Sequence, residues 1–119
     1  MLNLDTHIVV FAVTDRLRPN EQTLLEQDPW SVSAIVFWEL GKLIQLGRIA
    51  LNLDGPAATR VISKLHVWPV DTTVARASTQ LDFRSDPADE LIAATSVVHG
   101  VPLVTRDQTL RASRIVPLA

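Results

Sequence analysis

Short apolar runs alternate along the chain with longer stretches in which apolar residues recur every three to four positions. The short runs favour strands, whereas the longer periodicity is typical of helices with one buried face. Strands are predicted at residues 2–4, 30–33, 67–70, 101–105 and 115–117. Helices are predicted at residues 7–13, 21–27, 34–46, 55–65, 72–81 and 85–99, with a short last helix beginning at Asp107.

Local signals support several of these boundaries. Gly47 and Gly100 follow the two longest helical stretches, and glycine is favoured just beyond a helix C-terminus. Asp86 precedes Pro87, which is the order expected for an N-cap followed by the first helical residue. A polar break at residues 16–20 separates the first two helices.

Strands that alternate with helices predict parallel pairing through right-handed crossovers. The expected fold is therefore a three-layer α/β/α sandwich with a mainly parallel central sheet. A chain of 119 residues is long enough for one core, so residues 1–119 are expected to form one domain. In open sheets of this kind, ligands bind beyond the carboxyl ends of the strands.

Composition narrows the class of protein further. Apolar residues make up 47% of the chain, with few aromatics, so Leu, Val, Ile and Ala must build the core. The absence of cysteine excludes disulfides and thiol ligands. No apolar run reaches the length of a membrane span and no basic signal segment opens the chain, which predicts a cytoplasmic protein. A net charge of −2 argues against a protein that coats nucleic acid through a broad basic surface.

Four acidic residues occupy conspicuous positions. Asp5 and Asp107 directly follow or closely follow predicted strands, and Asp89 lies in the first turn of the helix that begins after Asp86. Glu39 is the least expected, because it falls within the apolar stripe of its helix. A buried, unpaired carboxylate costs several kcal/mol, so Glu39 requires a cation, a metal or a proton.

Each acid also has a structural interpretation. Asp5 and Asp107 are suited to cap helices, and Asp89 is suited to interact with the helix dipole. Glu39 has Lys42 one turn away as a candidate ion-pair partner. The coincidence of all four favours a shared carboxylate cluster for Mg²⁺ or Mn²⁺, because hard oxygen ligands suit these ions.

Several segments together resemble the PIN-domain family, and most closely its VapC-type toxins. They are Leu4-Asp5-Thr6-His7, Ser33-Ala34 with Trp38-Glu39-Leu40, Asp86-Pro87-Ala88-Asp89 with Leu91-Ile92-Ala93-Ala94-Thr95, and Pro102-Leu103-Val104-Thr105-Arg106-Asp107. The resemblance extends over nearly the whole chain. One departure is Glu90, which stands where a basic residue often follows the third acid.

The resemblance implies a metal-dependent endoribonuclease that cleaves RNA phosphodiester bonds and acts as the toxin of a toxin–antitoxin pair. It implies a homodimer and a cognate antitoxin as partner. By the same resemblance, Asp5, Glu39, Asp89 and Asp107 are the catalytic, metal-binding acids.

Other residues have candidate supporting roles. Thr6 and Thr105 are placed to orient a carboxylate or a water through their hydroxyls, and Asp86 is expected to cap its helix and so to aim Asp89. Three arginines near the predicted cluster are candidates for contacts with RNA phosphates: Arg84, Arg106 and Arg111.

Alternative functions remain open at this point. The three histidines lack the close spacing of a zinc site, and no Gly-x-Ser-x-Gly elbow supports a serine hydrolase. A receiver-like signalling domain shares the fold class and an Mg²⁺ site, but it requires adjacent acids near the first strand and a late lysine; Asp5 stands alone and no lysine follows Lys64. A catalytically silent protein-binding domain is the third possibility, in which the acids act only as caps.

Overall fold

The computed structural model describes all residues 1–119, which form four strands and seven helices. The strands are β1 (Leu2–Leu4), β2 (Trp30–Ser33), β3 (Leu65–Trp68) and β4 (Leu103–Val104). The helices are α1 (Thr6–Val13), α2 (Pro19–Gln27), α3 (Ile35–Gln45), α4 (Pro56–Ile62), α5 (Thr72–Ser78), α6 (Pro87–His99) and α7 (Gln108–Arg111).

The strands form one parallel sheet in the order β3-β2-β1-β4. Every residue of β1 and β4 is buried. Because successive side chains of a strand point to opposite faces, helices must cover both faces of the sheet. The predicted three-layer α/β/α sandwich with a parallel sheet is therefore confirmed.

Branched aliphatic residues fill the core, as the composition predicts. Its largest fully buried side chains include Leu4, Ile8, Leu40, Ile92, Leu103 and Leu110. A buried polar side chain crosses this core: Asn3 Nδ2 donates to Ile92 O at 3.1 Å and lies 2.9 Å from Ser96 Oγ. These bonds connect β1 directly to α6. They therefore fix the position of the strand that precedes Asp5 relative to the helix that carries Asp89.

Some predicted boundaries are wrong. The strand predicted at residues 67–70 lies at Leu65–Trp68, and the helix predicted to run to Leu65 ends at Ile62. Pro69 has no N–H to contribute to a ladder, which limits the strand. The helix predicted at 72–81 ends at Ser78, whereas α2 begins two residues before its predicted start.

The last predicted strand, at residues 115–117, is absent. Instead, the chain makes an isolated parallel bridge between Leu103 and Leu118. Leu103 N donates to Pro117 O at 2.8 Å, and Ala119 N donates to Leu103 O at 3.0 Å. The C-terminal segment thus covers the outer edge of β4 with a single bridge, because Pro117 cannot donate a hydrogen bond of its own.

Both glycines that were predicted to follow the ends of helices do so. Gly100 caps α6 at φ 64°, and Gly47 follows the C-cap of α3 at φ 70°. This left-handed conformation favours glycine.

The longest helix, α6, has 13 residues. None of the helices combines the length and the apolar character needed to cross a bilayer.

Candidate metal centre

Three of the four predicted acids meet at the carboxyl edge of the sheet. Asp5 directly follows β1, Glu39 lies in the second turn of α3, and Asp89 lies in the first turn of α6. One carboxylate oxygen from each residue lies within 4.8 Å of the others. Asp5 is buried, with 6% of its surface exposed, while Glu39 and Asp89 are partly buried. The cluster is therefore open to solvent on one side.

Asp5 is held by both of its carboxylate oxygens. Its Oδ1 accepts from Thr6 N at 2.8 Å, which caps α1, and its Oδ2 accepts from the Thr105 hydroxyl at 2.6 Å. Thr105 Oγ1 also accepts from Asp107 N at 3.0 Å. The hydroxyl of Thr105 therefore connects the end of β4 to the acid at the end of β1. This is the orienting contact that the sequence predicts for a threonine.

Glu39 is oriented by the other predicted threonine. The Thr6 hydroxyl donates to Glu39 Oε1. The alternative partner Lys42 makes no ion pair with Glu39, since Lys42 Nζ bonds to Gln45 Oε1 at 3.2 Å on the exposed side of α3. No cationic side chain therefore neutralises Glu39, and its carboxylate is available to a metal ion.

Asp89 is held by a residue that the sequence analysis missed. Ser85 Oγ donates to Asp89 Oδ2 at 2.9 Å, and Ser85 N donates to Glu90 Oε2 at 3.2 Å. Asp86 occupies the N-cap position of α6, but its side chain makes no capping hydrogen bond. The aiming role predicted for Asp86 is therefore performed by Ser85. The signal available in the sequence was the four-residue separation of Ser85 and Asp89, which brings two side chains to the same side of a helical turn.

Asp107 lies beside the cluster but outside the group of three. Its Oδ1 accepts from Leu110 N at 3.1 Å, so it caps α7 as its structural interpretation predicts. Its negative charge nevertheless raises the pKa values of Asp5 and Asp89. Asp107 thus contributes to the negative potential of the cluster, and its role as a fourth metal ligand stays a prediction.

The three predicted RNA-binding arginines have different environments. Arg84 and Arg111 are exposed, and Arg111 NH1 donates to Thr105 O at 3.3 Å. Arg106 instead forms a bidentate ion pair with buried Glu21, at 2.7 and 2.8 Å. The Arg106 guanidinium also lies 3.8 Å from the centre of the Phe11 ring. Arg106 is thus anchored within the protein, while Arg84 and Arg111 face solvent.

Burial and mutual repulsion disfavour ionised acids in the cluster. Burial raises the pKa of Asp5, although the hydrogen bonds from Thr105 and Thr6 and the nearby His7 oppose this shift. Burial also raises the pKa of Asp89 to about 6, with further contributions from the charges of Asp5 and Glu39. Two unit charges at this separation repel by roughly 3–4 kcal/mol at an effective dielectric constant of about 20. The cluster is therefore poised to take up a cation or a proton.

The donor set fits a hard divalent cation. All three side chains offer oxygen, neither sulfur nor imidazole is present among them, and the open side leaves room for water and substrate. These features suit Mg²⁺ or Mn²⁺ better than zinc, which favours sulfur and nitrogen ligands.

The raised pKa of Asp89 predicts a pH-dependent stability without metal. An acid whose pKa is higher in the folded state than in the unfolded state stabilises the fold when protonated, and this contribution is lost as the pH rises from about 4 through about 6. Since Asp89 is only partly buried, solvent screening reduces the effect to roughly 1 kcal/mol, or about 3–6 °C in melting temperature. We expect the melting temperature in chelator to fall between pH 5 and pH 7, and this fall to be smaller in Asp89→Asn.

Circular dichroism melts at pH 5, 6 and 7 check this expectation. Asp54→Asn is a matched control, because Asp54 is an exposed loop acid outside the cluster. Adding Mg²⁺ at pH 7 is expected to raise the melting temperature of the wild-type protein and to have less effect at pH 5, where protons compete for the carboxylates. An identical pH response in wild type and Asp89→Asn contradicts the electrostatic coupling of the three acids.

The fold and this cluster define a class of protein: a small parallel α/β domain with a carboxylate site at the carboxyl edge of its sheet. The PIN domain family model matches residues 3–114. The chain is 33% identical over 118 residues to Ribonuclease VapC22 of Mycobacterium tuberculosis, with 93% of this chain and 90% of that protein covered. The chain therefore belongs to the PIN-domain family, which confirms the resemblance found in its motifs.

Solved structures show the same fold. A chain in the crystal structure of VapBC2 from Rickettsia felis, bound to a promoter DNA fragment, superposes with a TM-score of 0.73 at 18% identity, covering 100% of this chain and 98% of that one. A chain of a toxin–antitoxin complex from Klebsiella pneumoniae gives a TM-score of 0.70 at 18% identity, with 100% and 97% covered. At this identity the similarity establishes the shared architecture.

Proposed function

We propose that the protein is an Mg²⁺- or Mn²⁺-dependent endoribonuclease and the toxin of a toxin–antitoxin pair. The single observation that carries this proposal is the convergence of Asp5, Glu39 and Asp89, none of which forms an ion pair with a basic side chain. Membership of the PIN-domain family and the similarity to a relative named a ribonuclease support the assignment to the nucleases and to RNA as substrate.

The residues of the chain have separate tasks in this proposal. Asp5, Glu39 and Asp89 hold the ion, Asp107 adds negative charge or a fourth ligand, and two threonine hydroxyls fix the orientation of the first two acids. When bound, the ion supplies Lewis acidity at the phosphate and lowers the pKa of water. No side chain needs to act as a covalent nucleophile.

Exposed arginines are placed to guide the RNA. Arg84 directly precedes the Ser85 that holds Asp89, and Arg111 contacts the backbone of the Thr105 that holds Asp5. Both therefore lie next to the residues that orient the cluster, and both side chains are exposed and have donors left for phosphates. We propose that Arg84 and Arg111 bind the RNA backbone, and that Arg106, with its internal ion pair, contributes chiefly by fixing the segment between Thr105 and Asp107.

Cleavage of a mixed RNA pool tests the function directly. Purified protein is incubated with Mg²⁺, with Mn²⁺ or with chelator, beside an Asp5→Asn variant purified in the same way, which reports contaminating nuclease. We expect discrete products from the wild type with metal and none with chelator. Equal cleavage by both proteins, or cleavage that persists in chelator, contradicts the proposal.

Thr105 gives a test of orientation. Thr105→Val keeps the shape of the side chain but removes the donor to Asp5 Oδ2, and outer contacts of this kind are worth about 10–100-fold in metal affinity or activity. We expect the metal concentration for half-maximal cleavage to rise about tenfold in Thr105→Val. Thr105→Ser restores the hydroxyl and is expected to restore the affinity. A purely structural role predicts a lower melting temperature at unchanged metal dependence.

Partners are proposed from the named relatives and from the surface. Two large apolar side chains of the α3 region are exposed: Trp38 at 57% and Leu46 at 64%. A protein partner that packs on α3 covers both side chains. We propose a cognate antitoxin and a homodimer, and light scattering of material purified from the native locus tests both. A lone monomer without a bound small protein contradicts them.

A further inference from the structure

A pocket with a volume of about 320 Å³ lies on the flank of α1, outside the acid cluster. Its lining is half apolar and half polar. Its lining includes His7, Phe11, Thr14, Arg16, Arg48 and Ile49. We propose that this pocket is a nucleotide subsite, which holds one or two nucleotides of single-stranded RNA next to the bond that is cleaved. This inference rests on the proposed ribonuclease function.

The position of the pocket connects it to the cluster. His7 is exposed, lies two residues after Asp5, and is close enough for its charge to lower the pKa of Asp5. Thr14, the C-cap of α1, also lines the pocket and lies seven residues further along the chain. At 1.5 Å per residue, the pocket follows the helix for about 10 Å. One lining residue, His7, therefore lies within electrostatic range of the metal centre.

The walls of the pocket suit a nucleobase. Phe11 and Ile49 provide apolar surface, and the rings of His7 and Phe11 lie 6.3 Å apart at a tilt of 41°. The Arg106 guanidinium packs on Phe11 at 3.8 Å and is itself held by Glu21, so one face of the Phe11 ring is supported from within the protein. Proteins bind single-stranded RNA by packing its bases on aromatic rings and guanidinium planes of this kind.

The charge at the pocket favours RNA. Arg16 and Arg48 are both exposed, and neither side chain makes an ion pair or a hydrogen bond within the protein. No acidic residue lines the pocket. Two unpaired guanidiniums beside an apolar wall complement a base and its phosphates. They also offset the negative cluster, which by itself repels an RNA backbone.

RNA binding in a non-cleaving background tests the subsite. The Asp5→Asn protein, with and without Arg16→Gln or Arg48→Gln, is titrated against short fluorescent oligoribonucleotides, each composed of a single type of base, at several salt concentrations. Each arginine that contacts a phosphate contributes about 0.7 to the salt slope on a single strand. We therefore expect each variant to bind about fivefold more weakly at 0.1 M salt, with a slope lower by about 0.7. Arg76→Gln is the matched control, because Arg76 is an exposed arginine on α5 that does not line the pocket.

The wild-type background separates the subsite from the cleavage chemistry. There we expect Arg48→Gln to raise KM about fivefold at unchanged kcat, and sequencing of the product ends to show weaker base preference beside the cut. A wild-type protein that cleaves no RNA refutes the proposed function, while the binding titration still decides the subsite. Unchanged RNA affinity, salt slope and base preference in both arginine variants overturn the inference and leave the pocket to a protein partner.

Discussion

Replacement of Asp5 by Asn is expected to abolish metal-dependent RNA cleavage and to leave the fold intact. Asp5 is the most deeply buried of the three acids, and its carboxylate bonds to both Thr6 and Thr105. An amide of the same shape can still accept the hydrogen bond from Thr6 N, so the cap of α1 survives. The negative charge needed to hold a divalent cation is lost.

The expected loss of cleavage is at least about 100-fold, because residues that merely support a metal ligand already contribute about 10–100-fold. Stability in chelator is expected to stay equal or to rise slightly. Burial raises the pKa of Asp5, which means that its negative charge destabilises the metal-free protein at neutral pH.

Initial cleavage rates and thermal melts of Asp5→Asn, wild type and the Asp54→Asn control separate the possible roles. A large drop in melting temperature assigns Asp5 to capping alone. Unchanged cleavage removes Asp5 from the site altogether. Only loss of cleavage at preserved stability agrees with a metal ligand, and Asp54→Asn is expected to match the wild type in both measurements.

Two acids of the cluster could be predicted from local patterns, because one conflicts with the periodicity of its helix and the other directly follows a strand. Glu39 interrupts an apolar stripe, and Asp5 follows a buried strand. Neighbouring parallel strands bring their carboxyl ends to one edge, which favours a shared site for these two acids. Asp89 was added by the coincidence of the acidic positions and by the resemblance to the PIN-domain family. Functional sites are where local sequence rules and the needs of the fold are expected to disagree.

The long-range contacts around the cluster, unlike those of its two threonines, could not be predicted in the same way. Asn3 reaches Ser96 and Ile92 across about ninety residues of sequence, and Arg106 reaches Glu21 across 85. Such partners are set by the tertiary structure, and many polar residues of the chain could have satisfied the same pattern. Arg106 illustrates the consequence: from sequence it was a candidate for RNA contact, whereas the structure gives its guanidinium an acidic partner and an aromatic neighbour.

The ion pair between Glu21 and Arg106 stabilises the fold beside the site, and Glu21→Gln is expected to have the largest effect on stability. Glu21 is only 5% exposed, binds the guanidinium through both oxygens, and accepts from Arg18 N at 2.7 Å at the N-terminus of α2. Breaking a buried pair from one side costs about 3–5 kcal/mol. The Arg106 side chain is 24% exposed, so we expect a loss of about 2–4 kcal/mol in the free energy of unfolding.

Urea denaturation of Glu21→Gln beside Glu26→Gln measures this loss. Glu26 lies on the same helix, is exposed and makes no ion pair, so its change is expected to stay within about 0.5 kcal/mol. The hydrogen bond from Arg106 lowers the pKa of Glu21. The stabilisation is therefore fully present above the ordinary value of 4.5 and is lost as the pH falls through the lowered pKa.

The acid cluster and the ion pair between Glu21 and Arg106 thus change the stability of the fold in opposite directions as the pH rises. The cluster destabilises the metal-free fold as its acids ionise, whereas the pair of Glu21 and Arg106 requires an ionised acid. Since Arg106 lies between Thr105 and Asp107, the pair also holds the segment that orients Asp5. Glu21→Gln should consequently weaken cleavage as well as stability, and saturating metal should restore part of both. A variant as stable as Glu26→Gln at neutral pH shows instead that the pair contributes nothing to holding this segment.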